Sequence, residues 1–442
     1  MELSDFIFTP ITILIVYIGA YALRPYATDT TNRRYFIPAL TVRIVGALSL
    51  WFIYQFYYQG GDTFNYSQGS NIVWKSFMDN PFIGLKLIFG SVENDLSLYQ
   101  YSSRILFFQD PSTYFVVRIA AFFALITFSS YSATAVLFSV ISFTGMWMLF
   151  LTFYKQYPHL HRGIALATFF IPSVFFWGSG LLKDTIVLGC LGVATYYIHE
   201  LFIMRRMSFR AILILLLAVV VIFKVRVFVL QAFLPAVLLW IMANNFRFIR
   251  PMFLKIMIMP FGVAILFLSA YYAVVKVGEH DAKYSVAKLA QTSRITAFDI
   301  GFYSGRNAGS RYSLDIVQWT PEGMALAAPA AINVTLFRPY LWEIRNPFMF
   351  MAALESTFLI LFTLYVLGKN LRHIFSALSN QNVLFCMSFS LTFAFAIGIS
   401  TFNFGTLTRY RIPLLPFYLL ALIIMSNYSK RERKFSELER TE

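Results

Sequence analysis

The residues best suited to chemistry in this chain sit at the ends of apolar runs. In PSVFFWGSGLLKDTIVLG, residues 172–189, an apolar segment breaks at Gly178-Ser179-Gly180 and restarts with Lys183 and Asp184 in its first turn. An ammonium and a carboxylate between two hydrophobic spans are costly and need a reason. One reason is a tight turn at the membrane surface, with Lys183 reaching up to lipid headgroups. The other is chemical: a helix start offers free N–H groups and a positive dipole end, and Lys183 adds a full charge. That set suits a phosphate or pyrophosphate held at the bilayer edge.

Further basic residues occupy similar positions. Lys224 and Arg226 lie in the tight turn IFKVRVF, and Arg409 and Arg411 open the last span as TLTRYRIPLLPF. Each either snorkels to a headgroup or belongs to one cationic cluster, in which arginines clamp a diphosphate bidentately. Asp62 follows Gly60 and Gly61, with Tyr57, Tyr58 and Tyr66 around it. There it is either part of an ordinary Gly-Gly-Asp turn or a general base for an acceptor hydroxyl. A divalent cation is the one cofactor it could hold. In FRPYLWE, residues 337–343, Arg338 precedes a φ-locking Pro339 and Glu343 follows about one turn later. The two either form an ion pair at the entrance to the next span or orient a substrate. Glu355 falls inside that span, where it is expected to face the bundle interior and bond a polar neighbour.

The elements that must carry these residues are membrane helices. The chain has 442 residues, 58% hydrophobic and 13% charged, with mean hydropathy +0.65, against about 25% charged in an average soluble domain. Cys190 and Cys386 both lie in apolar spans, so no disulfide framework is expected. The net charge of +15 resides at span ends, which fits positive-inside topology and anionic lipid rather than nucleic acid. No P-loop, dinucleotide fingerprint, zinc-type spacing or internal repeat is present.

Runs of about 20 apolar residues are expected at 6–23, 36–57, 112–128, 133–154, 163–178, 181–203, 209–223, 227–243, 252–275, 347–367, 381–402 and 412–427. The expectation is thus an all-α, polytopic bundle over 1–442 with about 12 spans, within 11–13. Amphipathic interfacial helices are expected in a first outer region, 58–111, with a long outer loop at 276–346 and a cytoplasmic basic tail at 428–442. Placing KQYPHLHR in the cytoplasm puts Arg205, Arg206, Arg210 and the KRERK tail inside, and Lys183, Lys224, Arg226, Arg409 and Arg411 outside. The acidic N-terminus followed by Arg24, Arg33 and Arg34 fits an outside start only with one extra crossing or re-entrant segment between Asn71 and Asp110.

The pieces GGDTFNY (60–66), PSVFFWGSGLLKD (172–184), FRPYLWE (337–343) and RYRIPLLP (409–416) resemble bacterial polysaccharide-assembly membrane proteins. These are the GT-C-type glycosyltransferases that use polyprenyl-phosphate sugars, and the O-antigen polymerase-like proteins. The resemblance implies transfer from a lipid-linked sugar donor to a glycan or lipid-linked acceptor at the outer face of a bacterial inner membrane. On it, Asp62 is the catalytic candidate, and Lys183, Asp184, Arg226, Arg338, Glu343, Arg409 and Arg411 are substrate-binding candidates. The chain departs from the family pattern in having Asp62 alone where a pair of acids is common. A transporter or flippase for lipid-linked oligosaccharide and a non-catalytic membrane assembly protein are the alternatives.

Overall fold

The computed structural model describes residues 3–90, 95–246, 289–300, 310–314, 319–371 and 374–438. Among them every regular element is a helix, and one isolated antiparallel bridge joins Arg311 to Asn403. Seven of these helices are long and apolar enough to cross a membrane. An eighth is added if Phe404–Tyr410 and Leu415–Asn427, bent by 66° at a short break, make one span. The chain is a helical, multi-pass membrane protein on that basis. The span expected at 252–275 lies outside the described residues, as do parts of the 276–346 loop.

One local expectation is corrected. The run at 163–178 is not one helix: His161–Phe169 ends, and Pro172–Trp177 starts anew. Pro172 has no N–H to continue the ladder and its ring disfavours helical backbone before it. Between 71 and 110 no described helix is long and apolar enough to cross. Asp62–Asp79 and Pro81–Phe89 form a helical pair in the first part of that region, in contact so close that a Cβ on Gly84 would lie 2.5 Å from the Phe77 backbone.

The chain forms two compact units. The first comprises Met1–Gln156, Thr168–Tyr197 and Ser208–Arg226. Its helices are α1 (Leu3–Ala27), α2 (Arg33–Phe52, running on as a π-helix to Tyr58), α3 (Asp62–Asp79) and α4 (Pro81–Phe89). After these come α5 (Pro111–Thr127), α6 (Tyr131–Tyr154), α7 (Pro172–Trp177), α8 (Lys183–Ile198) and α9 (Phe209–Val225). α6 is the hub, with α1 and α2 against it. Trp147 of α6 meets Phe36 edge-on at 4.8 Å and stacks on Phe169 at 5.6 Å. α8 crosses α6 with almost no gap, since a Cβ on Gly145 would fall on the Gly189 carbonyl. Small residues let two membrane helices approach in this way. α1 buries few of its residues, yet its buried Asp5 accepts from the Ser130 and Ser132 hydroxyls at 2.8 and 3.0 Å, tying it to the start of α6.

The second unit comprises Tyr157–Ala167, Ile198–Met207 and Val227–Glu442. Its main helices are α10 (Val227–Phe246), α11 (Ala328–Phe337), α12 (Pro347–Lys369), α13 (Gln381–Thr401), α14 (Phe404–Tyr410) and α15 (Leu415–Leu438). α13 is central, packed by α10, α11 and α15. The Trp240 and Phe385 rings stack at 4.3 Å, while the Trp240 indole N–H donates to Asn382 at 2.9 Å, so its polar atom is satisfied in the core.

Candidate functional site

Asp62 is delivered by a chain reversal that needs its glycine. The π-helical end of α2 stops at Gln59 (φ 53°), and Gly61 has φ 104°, a region essentially closed to other residues. A Cβ on Gly61 would also lie 2.8 Å from the Tyr54 ring. The turn sets Asp62 as the first residue of α3, where the helix dipole favours a carboxylate. Thr63 pins the turn to α6 through a 2.5 Å hydrogen bond with the Tyr131 hydroxyl. Of the flanking tyrosines, Tyr57 and Tyr58 are exposed and Tyr66 is buried in the core.

Lys183 opens α8, and its ammonium donates to the Ser112 hydroxyl at 2.7 Å and lies 3.4 Å from the Asp110 carboxylate. Both partners belong to the start of α5, where Asp110 is the N-cap and accepts from the Ser112 N–H. Asp62 and Arg226 lie within electrostatic range of the same ammonium. Arg226 in turn forms a buried 2.8 Å ion pair with Asp184. Four of the expected site residues, Asp62, Lys183, Asp184 and Arg226, therefore gather in the first unit. Asp110 and Ser112 complete the group and were missed in the sequence, because QDPST reads as a plain helix cap. Burial pushes the Asp110 carboxyl up, but the Thr113 hydroxyl, Lys183 and Ser112 outweigh it and hold the group below its ordinary value.

The Gly-Ser-Gly turn is packed inside the first unit. Gly178, Ser179 and Gly180 are buried. A Cβ on Gly178 would lie 2.7 Å from Leu188 and 3.0 Å from Arg43, and one on Gly180 would strike Leu50. The glycines permit this tight packing. Arg43, inside α2 and fully buried, holds the broken segment together. It donates to the carbonyls of Val174 and Gly178 at 3.0 and 2.9 Å and to the Ser142 hydroxyl at 3.0 Å. Non-helical backbone at membrane depth requires such a donor. An arginine in the run RIVGALSLW is a signal that the sequence reading passed over.

The other four expected residues belong to the second unit. Arg338 binds Glu343 through both Nε and Nη2, and Glu343 also accepts from the Tyr340 N–H at 2.8 Å. Burial pushes the Glu343 carboxyl up, but these donors bring it below its ordinary value. Arg411 is fully buried: it donates to the carbonyls of Thr335 and Arg338, to Ser356 and to Glu355, at 3.1–3.2 Å. Its donors are directed inward, at the end of α11, so it anchors the helix break much as Arg43 does in the first unit. Glu355 meets its expectation, buried and bonded to a polar neighbour. Arg409, in the last turn of α14, is half-buried beside the Tyr410 ring. Among the described residues no three His, Cys, Asp or Glu side chains form a group able to hold a metal ion. No family model, curated protein or solved structure matches this chain.

Proposed function

We propose that this protein is a membrane glycosyltransferase or polysaccharide polymerase that takes a sugar from a polyprenyl phosphate or diphosphate carrier. The observation that carries the reading is the largely buried Lys183 ammonium, held by Ser112 and Asp110 at the start of an apolar helix, with the Asp62 carboxylate within electrostatic range of it. Glycosyl transfer needs both. Asp62 takes the proton of the acceptor hydroxyl, whose oxygen attacks the anomeric carbon. The bond from that carbon to the phosphate oxygen breaks, and the phosphate leaves with the electron pair. Lys183 stabilises the developing negative charge, where an ammonium near low-dielectric lipid acts strongly. The incoming phosphate replaces Asp110 on the ammonium, and the Arg226–Asp184 pair holds the start of α8 in place. A transporter is the weaker reading, because among the described residues the buried Arg43 and Arg411 are each committed to backbone carbonyls at a helix break.

On this reading the site faces the outer side of a bacterial inner membrane, the C-terminus is cytoplasmic, and the span count is about 12. The decisive experiment is complementation of a polymer-deficient strain with Asp62→Asn at normal accumulation. Loss of polymer is expected, and full restoration would overturn the catalytic assignment. Single-cysteine labelling at position 183 with an impermeant reagent checks the side, and labelling only after permeabilisation would reverse it.

A further inference from the structure

We propose that the Tyr340–Trp342 turn of the second unit is a ledge that binds a neutral pyranose ring of a glycan chain. This inference rests on the saccharide reading above but not on the residues that carry it. The indole of Trp342 lies on the Tyr340 ring at 4.8 Å and 26°, and Trp342 is 81% exposed. One aromatic face is thus backed by a second ring while the opposite face is open. Asn333, an exposed amide, donates to the Tyr340 hydroxyl at 3.0 Å and sits at the edge of the stack. A flat apolar face with polar groups at its rim complements a sugar, which has a C–H face and a hydroxyl rim.

The turn beneath the ledge is held more firmly than a lipid contact requires. Glu343 grips Arg338 with both oxygens and caps the Tyr340 N–H. The Arg338 guanidinium also lies over the rings of Tyr340 and Phe404, at 5.8 and 5.1 Å. From below, Ser356 and the buried Arg411 both donate to the Arg338 carbonyl at 3.1 Å. An interfacial aromatic needs only to sit at headgroup level, whereas holding a stacking face in one orientation lowers the cost of binding a ligand to it.

The test uses the full-length protein in detergent, labelled with 5-fluorotryptophan, with the Trp342 resonance assigned by its loss in Trp342→Phe. Maltotetraose and chitotetraose are the probes, at about 10 mM so that a millimolar site is mostly filled. At least one is expected to shift the Trp342 resonance, and Asn333→Ala to weaken that effect severalfold. Trp342→Ala should weaken saturation transfer to the sugar by on the order of tenfold. Both side chains are exposed, so the fold should survive, and circular dichroism checks that it does. An unmoved Trp342 resonance with both sugars overturns the proposal. So does quenching of Trp342 by dibromo-phosphatidylcholine nanodiscs with no response to either sugar, which would make the turn an interfacial anchor. Donor binding at Lys183 is measured separately, so failure of the ledge is distinguished from failure of the proposed function.

Discussion

Arg226 donates to Asp184 across 2.8 Å, with only 9% and 2% of the two side chains exposed. A pair this deeply buried is costly to leave half-made. We predict that Arg226→Met lowers stability by about 3–5 kcal/mol, because it removes the cationic partner of a buried carboxylate. The double variant Arg226→Met/Asp184→Leu should recover most of that loss. Thermal unfolding in detergent reads both, and a double variant no more stable than the single one would show that Arg226 acts through other contacts.

Lys183→Met keeps most of the aliphatic stem but removes the charge. Binding of a polyprenyl-phosphate donor should weaken by about 1.5–3 kcal/mol, the range for a charge-assisted hydrogen bond. Lys183→Arg should retain part of the affinity, since the charge stays while the point geometry changes. Asp110→Asn removes the carboxylate that competes for the ammonium, so donor should bind as well as in the parent or better. Isothermal titration compares the three, and parental binding by Lys183→Met would reduce Lys183 to a snorkelling residue.

Gly145 and Gly368 make a contrasting pair. A Cβ at 145 falls on the backbone of α8, whereas one at 368 meets nothing within 4 Å. Gly145→Leu should separate α6 from α8 and cost at least the 1–3 kcal/mol typical of overpacking. Gly368→Ala should be neutral or stabilise by up to about 1 kcal/mol through helix propensity. Melting temperatures of the two variants give the comparison directly.

Acid sensitivity should follow Glu343. Its folded carboxyl lies below its ordinary value, so its contribution to stability is fully present above the unfolded value, near about 4.3. That contribution is lost as pH falls through the folded value. Glu343→Gln should therefore lower stability at neutral pH and show a flatter decline on acidification than the parent. Parallel profiles for the two proteins would mean that the Arg338–Glu343 contact does not contribute.

The sequence by itself determined the class: long apolar runs bounded by charge can only satisfy their backbone as membrane helices. It also determined which polar residues are unusual, because Asp62, Lys183, Arg226 and Glu355 each interrupt or border such a run. Local signals sufficed there, since burial cost and helix capping are properties of neighbouring residues. The partners of those residues were decided only by tertiary structure. Nothing near Lys183 in the chain announces Asp110 and Ser112, which approach it from the start of α5. Nothing in the apolar context of Arg43 names the carbonyls of Val174 and Gly178 as its acceptors. Even the Gly-Ser-Gly turn, legible as a break, took its meaning from Leu50, Leu188 and Arg43 packed against it. Hydrogen bonds and close packing join residues far apart in sequence, and periodicity carries no record of which ones meet.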